Sequence, residues 1–195
     1  MDPKQWGPDT WTYLHVLSLK SQASYETLKK FFYHLQYLLP CSLCRNNYQD
    51  HLKQIPFPGT KKEIPTWLIR LHNRVNQTRE KEETMLIYLN HRIKQMKHTQ
   101  DIGIWTFLQC AIHTHPGKNH ISSETIQAHR FIWEHLDELL PKSLEDSVVI
   151  YEYVQRHPIR DYALKTKYHQ QAHDFFNHFH LIGYSIKEHQ LCKKI

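Results

Sequence analysis

Apolar residues recur at helical spacing along most of this chain, and that periodicity constrains the fold more than any other feature. Leu28, Phe31, Phe32, Leu35, Leu38 and Leu39 form one stripe, with Ser24 placed to cap its start and Pro40 to mark its end. Trp67, Leu68, Leu71, His72 and Val75 form another behind Pro65, a residue suited to a first helical turn. Asp9 or Thr10 is the expected cap of a helix running to about Lys20. The residues after Cys41 continue as a helix to about Gln54, and Ile55-Pro56-Phe57-Pro58-Gly59 is a loop. A further helix is expected from about Glu82 to Lys97, with Met85, Tyr88 and Leu89 inward. Only 5 of 195 residues are glycine, which disfavours Gly-rich phosphate loops and tight hairpins. The expected fold class is all-α.

The second half repeats the first. Trp105-Thr106-Phe107-Leu108 echoes Trp11-Thr12-Tyr13-Leu14, and His135-Leu136, Leu139-Leu140-Pro141 and Ser143-Leu144 echo His34-Leu35, Leu38-Leu39-Pro40 and Ser42-Leu43. The later pairs keep an offset of 101 residues, which still holds at His72/His173 and Asn76/Asn177; at Trp11 it is 94, the difference falling in a longer loop around His113 to His120. A tandem duplication follows, with units at residues 1–98 and 99–195. The copies are not equivalent: Cys41 and Cys44 align with Lys142 and Glu145, His15 with Gln109, and Asn73 with Asp174. The pattern predicts one working unit and one degenerate partner. Charge divides the same way. Residues 1–98 carry 15 Lys/Arg against 8 Asp/Glu, and residues 99–195 carry 10 against 11. A basic half suits nucleic acid, an acidic partner or a phosphorylated cofactor.

The sharpest chemical feature is Cys41-Ser42-Leu43-Cys44 at a predicted helix start. Two thiols three positions apart can close a disulfide with little chain movement. The amide groups and dipole of a helix N-terminus stabilise a thiolate there, and Arg45 adds positive charge nearby. Half a zinc site, two buried thiols and a thioredoxin-like motif are the alternatives; zinc lacks a second ligand pair at sensible spacing, and a thioredoxin-like domain needs βαβ patterning. No metal is therefore expected. Of the other cysteines, Cys110 reads as a buried structural thiol, and Cys192 lies in a Lys-bearing tail from which a flexible sulfur could visit Cys41.

Three blocks carry a family resemblance: Trp6-Gly7-Pro8-x-x-Trp11-x-x-Leu14-His15, then Pro40-Cys41-x-x-Cys44, then His72-Asn73-x-Val75-Asn76 followed by Lys81. In this order and spacing the chain resembles the FAD-linked sulfhydryl oxidases of the Erv/ALR family, including versions from large DNA viruses with a paired degenerate unit. The resemblance covers about residues 4–81. It implies a four-helix bundle plus a short fifth helix binding FAD. It also implies a thiol oxidase that forms disulfide bonds in substrate proteins, passes electrons through a Cys41–Cys44 disulfide to FAD, and delivers them to oxygen as hydrogen peroxide. By the same resemblance Cys44 lies against the flavin and Cys41 exchanges with substrate thiols. Trp6, Gly7, Trp11, His15, His72, Asn73, Val75, Asn76 and Lys81 would then hold the cofactor, with Lys81 at its phosphates. Leu39 departs from the Tyr that many members carry before Pro-Cys. Trp67 reads as plain core.

The expected partners are thiol-bearing proteins and oxygen, with residues 99–195 forming an internal pseudo-dimer and a further homodimer left open. No segment of roughly 18 apolar residues is present, and Met1 to Trp11 lacks the apolar core of a signal peptide. The expectation is host cytoplasm or virion. Two other classes stand beside the enzyme: a helical assembly protein with a vestigial cysteine pair, and a nucleic-acid binder built on the basic half, for which no recognisable module exists.

Overall fold

The computed structural model describes residues 2–115, 122–160, 162 and 165–181. Five helices form the amino-terminal half: α1 (Pro3–Lys20), α2 (Tyr25–Leu38), α3 (Ser42–Gln54), α4 (Ile64–Gln77) and the shorter α5 (Leu86–Ile93). A 3-10 turn at Thr99–Ile102 leads into α6 (Ile104–His113), α7 (Ser123–Glu134), α8 (Leu136–Leu139), α9 (Ser147–Arg156) and α10 (Lys165–Leu181). The described residues contain no strand, so the chain is all-α. The tail with Cys192 and the loop at 116–121 lie outside the described residues.

The stripes account for the packing. Leu28, Phe31, Phe32, Leu35 and Leu38 of α2 are all buried, as are Trp67, Leu68 and Leu71 of α4. Ser24 caps α2 through its hydroxyl, which accepts from the Thr27 amide. Trp67 is core, its indole N–H donating to the Ile55 carbonyl at 3.0 Å. Tyr48 ties α3 to α2 by donating to the Phe32 carbonyl at 2.7 Å. Lys61 closes the turn before α4 by donating to the carbonyls of Ser21 and Ala23.

Two boundaries differ from the sequence expectation. α1 starts at Pro3 with Asp2 as its cap, not at Asp9 or Thr10, and runs through Pro8. An interior proline loses one backbone bond and crowds the residue before it. That residue is Gly7, which has no Cβ to clash, and the extra turns bury Trp6 to 5 % exposure. α5 starts only at Leu86 because residues 82–84 are committed elsewhere, and it ends at Ile93; Leu89 is partly buried, but Met85 and Tyr88 are exposed rather than inward. The Asn73 side chain accepts from the Thr84 amide (2.7 Å) and donates to its carbonyl (3.1 Å), and Asn76 donates to the Glu82 carbonyl (2.9 Å). Backbone groups held by these asparagines are not available for a helical ladder.

The halves share one apolar core. α1 packs on α6 and α2 on α7. Phe107 meets Tyr13 and Phe31 at ring separations of 5.1 and 5.8 Å, and Phe131 meets His34 at 5.0 Å. Polar ties flank the seam: Thr106 donates to the Asp9 carboxylate (2.7 Å), Ser21 to the Glu138 carbonyl and Thr27 to the Glu138 carboxylate (both 2.9 Å). Inside the second half, the buried Asp146 carboxylate accepts from both the amide and the hydroxyl of Thr99, fixing the chain just ahead of α6. Cys110 is buried.

Candidate active site

Cys41 is the cap residue of α3. The Arg45 guanidinium, one turn into the helix, donates to the Leu39 carbonyl at 2.7 Å and so ties the helix start to the end of α2. The Cys44 amide then points at the Cys41 sulfur, 3.2 Å away. Burial alone would raise the Cys41 thiol. Hydrogen bonds from the Cys44 thiol and from the Cys44 and Leu43 amides outweigh it and hold Cys41 below the usual cysteine value. Cys44 is pushed up to about 12, first by burial and then by its bond to, and repulsion from, Cys41; Arg79 and its own amide act the other way. In the reduced pair, Cys41 loses its proton before Cys44 does.

Cys44 faces a cavity of about 110 Å³ between α1, α2, α3 and the end of α4, lined also by Trp6, Gly7, Thr10, Trp11 and Tyr48. A second cavity of about 530 Å³ adjoins it, sharing Gly7, Trp11, Val75 and Arg79, and continuing past His15 and His72 to Lys81 and Arg92. Together they form one cleft, within the size range of cofactor sites. Both cysteines are half-buried, and of the two only Cys44 lines the cleft.

The aromatic wall is ordered. Trp11 stacks on His72 with ring centres 4.0 Å apart and planes within 6°. His15 Nε2 lies 2.9 Å from His72 Nδ1, so one of these nitrogens donates and the other accepts. Burial first, then the neighbouring His72, lowers His15 to about 3; burial and Lys81 lower His72 to about 4. Both rings are neutral at ordinary pH, which leaves the positive charge of this wall to Arg79, Lys81 and Arg92.

Buried polar atoms without a partner are costly, and they cluster here. Trp6 Nε1, Thr10 Oγ1 and His51 Nδ1 on the inner cavity and His15 Nδ1 on the outer one have no hydrogen-bond partner. Gly7 adds a matching steric fact: it is buried, yet a Cβ built on it meets no atom within 4 Å. The cleft therefore has the aromatic faces, unpaired donors and acceptors, and clear space that suit a planar ring with a polar edge, and a cationic rim that suits phosphates.

Of the residues singled out in the sequence, Trp6, Gly7, Trp11, His15, His72, Val75, Asn76, Lys81 and Cys44 line the cleft. Asn73 does not; both ends of its amide are spent on Thr84. Arg79, Arg92, His51 and Thr84 line it without having been singled out. His51 was detectable at two turns from Cys44 on one helix face; Arg92 carries no motif signal.

The arrangement is a cysteine pair at the capped start of a helix, beside an aromatic cleft in an all-α bundle. Residues 8–100 match the model of the Erv1/Alr family. The chain is 35 % identical over 88 residues to the probable FAD-linked sulfhydryl oxidase of Acanthamoeba polyphaga mimivirus, a match covering 39 % of this chain and 59 % of that one. It is 28 % identical over 78 residues to the FAD-linked sulfhydryl oxidase Erv1 of Arabidopsis thaliana, covering 37 % of this chain and 41 % of that one. It is 24 % identical over 82 residues to the mitochondrial FAD-linked sulfhydryl oxidase Erv1 of Saccharomyces cerevisiae, covering 39 % and 43 %. The match thus spans about two-fifths to three-fifths of these curated relatives. No solved structure matches the chain at a significant level.

Proposed function

We propose that the chain is an FAD-dependent sulfhydryl oxidase that makes disulfide bonds in substrate proteins. The observation that carries this reading is the division of the cysteine pair, with Cys44 lining a cleft fit for a flavin and Cys41 outside it. A substrate thiolate attacks Cys41 Sγ of the oxidised pair, forming a mixed disulfide and expelling Cys44 as a thiolate. A second substrate thiolate then attacks the substrate sulfur of that bond, releasing the disulfide product and Cys41 as a thiolate. The low Cys41 pKa makes it a good leaving group in this second step. Bound FAD supplies the two-electron acceptor that reoxidises the pair and passes the electrons to oxygen as peroxide.

Trp11, His15 and His72 would hold the ring system and adenine by their faces. Trp6, Thr10 and His51 offer polar atoms to the ring edge, and Lys81 with Arg92 would meet the pyrophosphate. Asn73 acts one step away, by clipping the 82–84 segment that carries part of the outer wall, and Asn76 lines the cleft while holding the same segment.

Residues 99–195 are proposed as a degenerate copy in the place of a second subunit. The pairing of α1 with α6 and α2 with α7 supports this, because each helix meets its own counterpart, as in an isologous interface. So does α10, which begins 101 residues after α4. Substrates are thiol-bearing proteins, and the mimivirus relative favours a viral setting in the host cytoplasm or virion. No helix among the described residues is long and apolar enough to cross a membrane.

The test is a visible absorption spectrum of the purified chain with peroxide detection in the presence of a dithiol. Cys41→Ser and Cys44→Ser are each expected to reduce thiol oxidation to the uncatalysed background while flavin stays bound. A protein that is colourless even after incubation with FAD overturns the reading.

A further inference from the structure

The inner cavity receives an electron pair each time the disulfide opens, yet it is largely apolar. Among the described residues lining it, the titratable groups besides Cys44 are Tyr48 and His51 from α3 and Arg79 beyond the end of α4; α1 and α2 contribute none. Tyr48 donates its hydroxyl to Phe32, and burial pushes its pKa up, so it brings no charge. Burial first and then Arg74 lower His51, with Asp50 partly opposing, so it is neutral at ordinary pH. Arg45, next to Cys44 in sequence, is turned to the Leu39 carbonyl. Arg79 is the remaining cation.

We propose that Arg79 is the charge partner of Cys44, holding the thiolate that forms when a substrate thiol opens the Cys41–Cys44 disulfide. The proposal deepens the oxidase reading and rests on it for the step, though not for the measurement below. In that step the substrate S–Cys41 bond forms, the Cys41–Cys44 bond breaks, and the bonding pair leaves on Cys44 Sγ; no external proton or electron is consumed. A half-buried sulfur resists that charge unless a cation faces it. Arg79 lines both cavities, the inner one with Cys44 and the outer one with His72, Lys81 and Arg92.

Its position is built by the backbone rather than by chance. The Arg79 and Lys81 amides both donate to the Asn76 carbonyl, at 2.9 and 3.0 Å, and Glu80 between them adopts a left-handed φ of 52°. That conformation is unusual for a residue with a side chain. It turns the chain so that Arg79 borders both cavities and Lys81 borders the outer one. The Coulombic effect of Arg79 on Cys44 has the sign the role requires.

The experiment follows alkylation of Cys44 against pH, read at the Cys44 peptide by mass spectrometry in a Cys41→Ser background. This isolates one sulfur and needs no turnover. Arg79→Met should raise the midpoint by roughly 0.5–1 unit, less than a closely held buried pair because the guanidinium is exposed to solvent. Arg79→Lys should restore most of the shift, and high salt should mimic Arg79→Met. An unchanged midpoint in Arg79→Met, or an equal rise in Arg79→Lys, overturns the proposal. Flavin content of the parent chain is read separately. A colourless parent sinks the oxidase reading and leaves the sulfur measurement standing, whereas a yellow parent with an unmoved midpoint sinks only the role of Arg79.

Discussion

Gly7 combines two demands in one position. It precedes Pro8 inside α1, where a Cβ would crowd the proline ring, and it borders both cavities, where a Cβ meets no protein atom. Gly7→Ala therefore sets a gain in helix propensity of about 1 kcal/mol against the pre-proline clash, and stability of the flavin-free chain should change by less than about 1 kcal/mol. The added methyl occupies cleft space, so flavin retained through purification should fall, more steeply in Gly7→Val. Thermal unfolding of the stripped chain and the flavin-to-protein absorbance ratio separate the two effects; an unchanged ratio in Gly7→Val would show that the cofactor does not use this space. At this scale the sequence was informative wherever chemistry is local. The cysteine pair, Trp11, His15 and His72 announce themselves by type and spacing. Arg79 did not, because its place at the cleft depends on a left-handed residue after α4 that no pattern in residues 77–82 specifies. Asn73 was legible as a residue that matters but not for what it does, since an amide gives the same signal whether it meets a ligand or the carbonyl of Thr84.

Helices α2 and α4 follow from apolar period with Ser24 and Pro65 at their starts, and α3 from Pro40 before it and the Pro56–Pro58 loop after it. α1 and α5 were misjudged at their ends, for the same kind of reason: a tertiary contact outweighed the local signal. Burial of Trp6 extends α1 through a proline, and the asparagine clip on residues 82–84 shortens α5. A different kind of element contact marks the second half, where α6, α7 and α10 meet through histidines. His129 on α7 is buried and lowered to about 3, by burial and by His115 and His169; His169 on α10 is lowered to about 4, by burial, Lys165 and other histidines. Burial also lowers His113 and His115. His129 contacts the Tyr168 hydroxyl at 3.1 Å, and His115 Nε2 the Tyr162 carbonyl at 2.7 Å. The folded pKa values lie below the unfolded value near 6.5, so below that pH the unfolded chain binds more protons than the folded one. The stability these neutral rings preserve is complete above about pH 6.5 and is lost progressively as pH falls toward the folded values of about 3 to 4. Melting followed by circular dichroism should show the midpoint fall by at least about 5 °C between pH 7.5 and 5, the shift produced by ~2 kcal/mol at this chain length. His169→Gln should flatten that dependence. A midpoint that is flat over the interval would mean that these rings accept protons without leaving the fold.

For the molecule as a whole, the question is what the carboxy-terminal half contributes to a site whose described lining residues come from residues 3–92. The contact between α1 and α6 gives the answer in steric terms. Gly103, the cap of α6, holds a left-handed φ of 76°, and a Cβ there would stand 2.3 Å from the Asp9 carbonyl oxygen and 2.9 Å from its Cα. These are backbone atoms of α1, so no side chain can swing aside. α1 is also the helix that presents Trp6, Gly7, Thr10 and Trp11 to the cleft, so a push at Asp9 moves the wall that would carry the flavin. Gly103→Ala should cost roughly 2–4 kcal/mol from overpacking and the strained φ together, or about 5–15 °C in melting temperature, and should lower flavin content without touching a cleft residue. Gly59→Ala is the control, because its Cβ meets nothing within 4 Å. Should Gly103→Ala melt with the parent and retain its flavin, the second half would be a neighbour of the redox unit rather than its partner. A fall in both, with the chain monomeric by light scattering, is the expected result if residues 99–195 stand where a second subunit would otherwise brace α1.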